Sequence, residues 1–136
     1  MILRLDEIKP GVVAWLDTAA LFNDSRVRRV GDGPPFRAGP FLCVEIGPGY
    51  TSWLNLTTRS SPHPTRMHLR AQWWLHGVRH DLETYINDVR EPWTGRDVAF
   101  VDASHNETPV HIRPQLNRQG LNAVREMMSK YPTKIA

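Results

Sequence analysis

The sequence predicts a mainly β domain of the α+β class, a small barrel or rolled sheet followed by one C-terminal helix. Short apolar or alternating segments recur along most of the chain, and turns rich in Pro and Gly separate them. The C-terminal segment changes instead to helical spacing. A chain of 136 residues supports one modest core, so we expect a single domain over residues 1–136.

Six short strands are predicted in the first part of the chain. Their patterns cover residues 12–17, 41–46, 50–56, 67–71 (with a continuation through 73–75), 84–86 and 98–101. Gly47-Pro48-Gly49 predicts a hairpin between the second and third strands, and residues 92–95 predict a turn before the sixth. Residues 18–39 show no periodicity, which is typical of a long functional connection.

The C-terminal helix is predicted at about residues 117–131. Leu121, Val124, Met128 and Tyr131 recur at helical spacing, and Pro132 ends the pattern.

Composition limits the location and the partners. No apolar run reaches the ~20 residues that a membrane span needs, and the N-terminus has no signal-like segment, so we expect a cytoplasmic protein without a membrane partner. The net charge is +3, and 14 of the 17 basic residues are Arg, which is compatible with nucleic acid but does not establish it. The single Cys43 lies in an apolar strand and predicts a buried structural thiol.

The strand over residues 50–56 leads into Thr57, Thr58 and Arg59, which form the best candidate site. Two hydroxyls and a guanidinium at an open strand end suit a phosphate or another anionic oxygen. The alternative is a strand end with ordinary β-forming residues and a solvated Arg. His63 follows closely and is a candidate proton shuttle, or else an exposed bystander.

The remaining candidates are a His pair and a Trp pair. His76 and His80, with His68 as a third ligand, have metal-like spacing, but Gly77 occupies the place where zinc hydrolases of this type need Glu. We therefore predict no metal and no cofactor. Trp73 and Trp74 point to opposite faces if extended, which favours an exposed partner interface over base stacking.

Three segments resemble the MazF/PemK toxin family. They are residues 10–17 (Pro-Gly-Val-Val-Ala-Trp-Leu-Asp), residues 40–44 (Pro-Phe-Leu-Cys-Val) and residues 56–58 (Leu-Thr-Thr), within a resemblance that runs from Lys9 to about Tyr131. The resemblance implies an SH3-like barrel with a C-terminal helix. It also implies a homodimeric, metal-independent endoribonuclease that cleaves single-stranded RNA and is neutralised by an antitoxin protein.

The resemblance also assigns roles to residues of this chain. It implies that Thr57 is catalytic. Cleavage of RNA without metal also needs positive charge beside the phosphate, which Arg37 or Arg59 could supply, so all three are the predicted catalytic residues. The expected RNA-binding residues are Arg26, Arg28, Arg29, Thr58 and His63. Family members commonly have an Arg immediately before the Pro that opens the second strand, where this chain has Gly39. The alternative function is therefore an inactive barrel used as a protein-binding module, such as a phage inhibitor or a regulatory subunit.

Overall fold

The computed structural model describes residues 2–29, 38–76, 83–104 and 113–133. The strands are β1 (Val13–Leu16), β2 (Val27–Arg29), β3 (Gly39–Gly47), β4 (Tyr50–Thr57), β5 (Met67–Leu69), β6 (Trp74–His76), β7 (Thr84–Ile86), β8 (Trp93–Arg96) and β9 (Gln115–Leu116). The helices are α1 (Thr18–Phe22), α2 (Asp97–Asp102) and α3 (Arg118–Lys130), with short 3-10 turns at Leu5–Glu7 and Ala71–Trp73.

Strand β4 is the centre of a seven-stranded antiparallel sheet. Along one edge it pairs with β3, and the hairpin between them turns at Gly49, whose φ of 75° lies in the left-handed region that favours glycine. Along its other edge, β4 pairs first with β8 and then, at its last two residues, with β7. The strand order is β1-β3-β4-β7-β5, and β2 joins through β8.

Alternation along β4 builds a separate apolar cluster on each face of the sheet. Leu54 and Leu56 enter the first cluster, which α3 covers with Val124. Trp53 enters the second cluster, where its ring stacks on Phe100 of α2 at 5.6 Å between centroids. Both faces of this strand are therefore buried over most of its length, which fixes its register strongly.

The predicted C-terminal helix is confirmed, with α3 one residue shorter at each end. Its N-terminus is capped by Asn117, whose Oδ1 accepts a hydrogen bond from the Gly120 backbone N–H at 2.8 Å. Gly120 lies against Trp73, and a β-carbon there would come within 2.7 Å of the Trp73 Cβ. This close approach seats the helix on the first cluster.

Two local predictions are wrong. Residues 98–101 form part of helix α2 rather than a strand, because Ala99, Phe100 and Ala103 are buried at helical spacing. Residues 92–95 are not a turn, since β8 begins at Trp93 and pairs with both β2 and β4.

The connection over residues 18–39 contains two elements that its sequence did not indicate. Helix α1 begins after Asp17, whose Oδ1 accepts hydrogen bonds from the backbone N–H groups of Ala19 and Ala20. Strand β2 follows along the edge of β8. The residues between β2 and Ala38 lie outside the described part of the chain.

The α+β class with mostly antiparallel strands is confirmed. A closed barrel is not seen among the strands that the structure describes, so the SH3-like barrel stays a prediction. In the same residues, no helix combines the length and the apolar character needed to cross a membrane.

Candidate functional site

A row of three polar side chains crosses the sheet where β4 ends. Thr57 lies directly opposite Tyr85 of β7, and Tyr85 lies directly opposite His68 of β5. Directly paired residues of an antiparallel sheet project to the same face, so these three side chains are neighbours. We call them the Thr57–Tyr85–His68 row.

The Thr57–Tyr85–His68 row lies outside both apolar clusters. The adjacent row, Leu56, Ile86 and Met67, projects to the opposite face and is buried in the first cluster. In contrast, Thr57 and Tyr85 are half-buried and His68 is exposed. The sheet thus has a dry side and an accessible polar side at the same position along its strands.

The aromatic rings of the row are in contact. The centroids of His68 and Tyr85 are 5.0 Å apart, and their planes are tilted by 41°. The Tyr85 hydroxyl donates a hydrogen bond to Glu83 Oε2 at 2.8 Å, and this bond raises the pKa of the phenol. The phenol therefore keeps its proton, and the two rings present an ordered pair to solvent.

The end of β4 is held by its own hydroxyl. Thr57 Oγ1 accepts a hydrogen bond from the Arg59 backbone N–H at 3.2 Å, which tightens the turn after the strand. Thr58 and Arg59 are exposed beyond it. Because this bond uses the Thr57 oxygen as an acceptor, the hydroxyl hydrogen could donate to a ligand at the same time.

Arg66 closes the loop that follows β4. Its Nη1 donates to the Arg59 carbonyl at 2.6 Å, while Nε and Nη2 donate to the carbonyl and the side-chain oxygen of Asn87, each at 2.8 Å. Its backbone N–H donates to the His63 carbonyl at 3.0 Å. One guanidinium therefore ties the Arg59 end of the loop to the chain that follows β7.

His63 is bound to Thr65 within this loop. The Thr65 hydroxyl lies 2.7 Å from His63 Nδ1, and the Thr65 backbone N–H lies 3.3 Å from the same nitrogen. Thr65 itself is only 2% exposed. The His63 side chain is exposed, so its ring is fixed on one side and accessible on the other.

Asp88 lies behind Thr65. The Val89 backbone N–H donates to the Thr65 carbonyl at 3.1 Å, which brings the two segments together. Burial raises the pKa of Asp88, but hydrogen bonds from Arg90 and from the Thr65 side chain outweigh it and lower the pKa overall. Asp88 is thus a carboxylate held in place by Arg90, with Arg90 Nη2 at 2.8 Å from its Oδ2.

Gly39 occupies the β3 position where the resemblance expects an Arg. The β3–β4 pairing ends at Phe41 opposite Asn55, so Gly39 and Thr57 each lie two residues beyond the last pair. Among the described residues, a β-carbon at Gly39 would meet only the Asn55 Nδ2, at 3.8 Å. Residues 30–37, which include Arg37, lie outside the described part of the chain.

The three Arg residues predicted to steer RNA have different surroundings. Arg26 is paired with Asp24 at 2.7 Å and with Asp102 at 2.9 Å, so its charge is largely neutralised. The guanidinium of Arg29 lies over the rings of Trp93 and Phe22, at 5.1 and 5.8 Å from their centroids. Arg28 is exposed on the other face of β2.

The predicted partner surface is largely internal at Trp73. Its side chain is 7% exposed and belongs to the first cluster, where it packs under Gly120. This burial leaves Trp73 little surface for a partner, whereas Trp74 is half-buried beside the exposed Leu75.

The structure does not test whether His76 and His80 could bind a metal ion. His80 and the side chain of His76 lie outside the described residues. Within the described ranges, no group of three or more His, Cys, Asp or Glu side chains is arranged to hold a metal ion.

Four residues of this surface were not predicted from the sequence: Tyr85, Arg66, Thr65 and Asp88. The sequence predicted the strand over residues 84–86 but assigned Tyr85 no role. Its position between Thr57 and His68 depends on the register of three strands, which no local pattern contains.

Comparisons with protein-family models, curated sequences and solved structures return no match.

Proposed function

We propose that this protein binds single-stranded RNA across the Thr57–Tyr85–His68 row and cleaves it as a metal-independent endoribonuclease. The observation that carries the proposal is the row itself, a hydroxyl, a phenol and an imidazole on one open face beside Arg59. The resemblance to MazF/PemK toxins points to the same strand end. An SH3-like barrel, a homodimer, a cytoplasmic location and an antitoxin partner belong to this proposal.

The row supports RNA binding through its two rings. Unstacked bases of single-stranded RNA pack on exposed aromatic and imidazole rings, and such stacking is tolerant of sequence. The Tyr85–His68 pair offers this platform in a fixed geometry. Arg59 supplies a cation for the adjacent phosphate. Arg28 pairs with Thr94, which pairs with Ser52, so it lies on the other face of the sheet and near the other end of β4 from this row.

The same groups suit cleavage by the neighbouring 2′-hydroxyl. His68 accepts the proton of the 2′-hydroxyl, the 2′-oxygen attacks phosphorus, and the bond from phosphorus to the 5′-oxygen breaks. Arg59 and the Thr57 hydroxyl stabilise the charge on the phosphate oxygens, with Arg37, the basic residue nearest in sequence to Gly39, as the second guanidinium. The products are a 2′,3′-cyclic phosphate and a 5′-hydroxyl.

Cleavage of a mixed-sequence, end-labelled RNA in EDTA tests the proposal. We expect fragments ending in 2′,3′-cyclic phosphate, at a rate that falls about 100-fold or more in His68→Gln and in Arg59→Gln. Arg118→Gln, on the exposed side of α3, is the matched control for loss of one positive charge and should cleave normally. Intact RNA in the presence of the folded wild-type protein would contradict the proposal.

One observation favours the inactive protein-binding module as a second candidate. Gly39 stands at the position where the resemblance expects an Arg. Under this alternative the protein leaves RNA intact and captures a stoichiometric protein partner. Substitution of the accessible Trp74 should then abolish capture, while substitution of the buried Trp73 should reduce it only by destabilising the fold.

A further inference from the structure

We infer that Arg66 is a phosphate-binding residue, which adds a second fixed positive charge beside Arg59 at the end of β4. The inference rests on the proposed function, because it names a further group that holds the RNA backbone at the same site. Its basis is a guanidinium that three neutral acceptors hold in place without neutralising its charge.

Arg66 has no carboxylate partner among the residues that the structure describes. Its Nε and Nη2 donate to the carbonyl and the side-chain oxygen of Asn87, each at 2.8 Å, and its Nη1 donates to the Arg59 carbonyl at 2.6 Å. Asp88 follows Asn87 along the chain, but Arg90 holds both of its carboxylate oxygens. The Arg66 guanidinium is therefore fixed in position and keeps its positive charge.

The Arg66 guanidinium also has donors left over. A guanidinium has five N–H donors, and the contacts with Asn87 and Arg59 use three of them. One hydrogen on Nη1 and one on Nη2 have no acceptor in the described part of the chain. Two donors on neighbouring nitrogens suit the oxygens of a phosphate. The side chain is half-buried, and its bond to the Arg59 carbonyl lies at the protein surface.

Arg59 connects this guanidinium with the Thr57 hydroxyl. The Arg59 backbone N–H donates to Thr57 Oγ1 at 3.2 Å, and the Arg59 carbonyl accepts from Arg66 Nη1 at 2.6 Å. Because one residue of backbone spans about 3.5 Å, the hydroxyl oxygen and Nη1 are within about 10 Å of each other. Thr57, Arg59 and Arg66 therefore meet at one strand end, where two positive charges favour a phosphate.

The salt dependence of RNA binding tests the inference. The probe is a labelled, single-stranded 2′-O-methyl RNA, which is not cleaved because its 2′-oxygen is blocked. Fluorescence anisotropy at several salt concentrations gives the slope of log affinity against log salt, which changes by about 0.7 for each phosphate contact. We expect Arg66→Gln to reduce the slope by about 0.7 and to weaken binding about 10-fold at low salt. Arg118→Gln is the matched control and should keep the wild-type slope.

Arg66→Lys separates the charge of Arg66 from its structural role. An ammonium keeps the positive charge but does not reproduce the forked donor geometry. We therefore expect Arg66→Lys to be destabilised in urea and yet to keep the wild-type slope, with an affinity within a few-fold of wild type. A wild-type slope for Arg66→Gln, or equal losses of slope for the Lys and Gln variants, would overturn the inference.

A measurement on the wild-type protein does not depend on how the variants fold. The nitrogen-15 signal of Arg66 Nε should shift when the 2′-O-methyl RNA is added, whereas that of Arg118 should not. An unchanged Arg66 signal at saturating RNA would contradict the inference.

The outcomes also separate this inference from the proposed function. If folded wild-type protein does not bind the 2′-O-methyl RNA, the proposed function fails and the role of Arg66 fails with it. If wild type binds and Arg66→Gln keeps its slope, only the role of Arg66 fails. If wild type binds but leaves ordinary RNA intact, cleavage fails and the slopes alone decide the role of Arg66.

Discussion

Thr57 and Tyr85 lie directly opposite each other on β4 and β7, although 28 positions separate them in sequence. Because of this pairing, the polar end of β4 is part of a larger polar surface that includes Tyr85 and His68. The pairing places a phenol beside the Thr57 hydroxyl, and Tyr85 contacts the His68 ring on its other side. A single-residue shift in register would move Tyr85 to the buried face and remove the surface.

Tyr85→Ala should weaken binding of single-stranded RNA about 10-fold, because it removes one ring of the stacking platform. Tyr85→Phe keeps the ring and should bind nearly as well as wild type. Fluorescence anisotropy with a labelled RNA at fixed salt measures both. Tyr50→Ala is the matched control, since Tyr50 is 37% exposed at the opposite end of β4 and should not affect binding. Equal losses for Tyr50→Ala and Tyr85→Ala would contradict a specific platform.

Gly39→Arg should raise the rate of RNA cleavage about 10-fold, because it places a guanidinium beside Thr57 where charge develops on the phosphate. The substitution should fold, since among the described residues the nearest atom to a β-carbon there is the Asn55 side-chain nitrogen, at 3.8 Å. Gly39→Ala is the control and should leave the rate unchanged. A Gly39→Arg protein that is folded but no faster would indicate that the proposed phosphate site lies elsewhere.

Arg66→Ala should lower the free energy of unfolding by about 1–3 kcal/mol, because three hydrogen bonds of its guanidinium are lost. Arg66→Lys should rescue little of this loss, since an ammonium does not reproduce the forked donor geometry. Urea unfolding measures the change, and exposed Arg28→Ala is the control. A near-zero effect for Arg66→Ala would mean that the loop is held by other contacts.

The free energy of unfolding should fall as the pH rises above about 9, because of the buried thiol of Cys43. Burial raises the pKa of its thiol to about 12, whereas the thiol of the unfolded chain ionises near 9. Between these values the unfolded state loses a proton that the folded state keeps, so stability falls by up to about 1.4 kcal/mol per pH unit.

Urea unfolding between pH 8 and 10.5 measures this effect. Cys43→Ala should be less stable throughout but should decline less steeply with pH. Parallel declines in the two proteins would show that the thiol does not cause the loss.

The strongest sequence patterns gave the best predictions of the fold. The β3–β4 hairpin was predictable because Gly47-Pro48-Gly49 separates two apolar runs. Helix α3 was predictable because its apolar residues alternate between spacings of three and four. Residues 98–101 are apolar at every position, so their pattern fits a strand or a helix equally. In the folded protein Phe100 stacks on Trp53, and this tertiary contact favours the helix over the strand.

The site was predictable only where its residues are contiguous. Thr57, Thr58 and Arg59 could be identified because one strand ends in all three. The positions of Tyr85 and Asp88 at the site depend on the pairing of β7 with β4 and β5, and the position of Arg66 depends on the path of a loop. Neither the strand pairing nor the loop path can be read from a local sequence pattern. Gly95 shows the same limit. Only glycine fits at this position, because a β-carbon would lie 2.4 Å from the Arg26 carbonyl oxygen, and this contact depends on the pairing of two distant strands.

The divided pairing of β4 has a consequence for how this protein opens. The strand contributes to both apolar clusters and pairs with β3, β8 and β7, so neither half of the sheet separates without breaking hydrogen bonds to it. We therefore expect local fluctuations to be largest in the peripheral strands, and the β4 amides to exchange with solvent mainly when the whole domain unfolds. Thr57 is the last residue of β4, so the candidate site borders the strand that we expect to exchange most slowly.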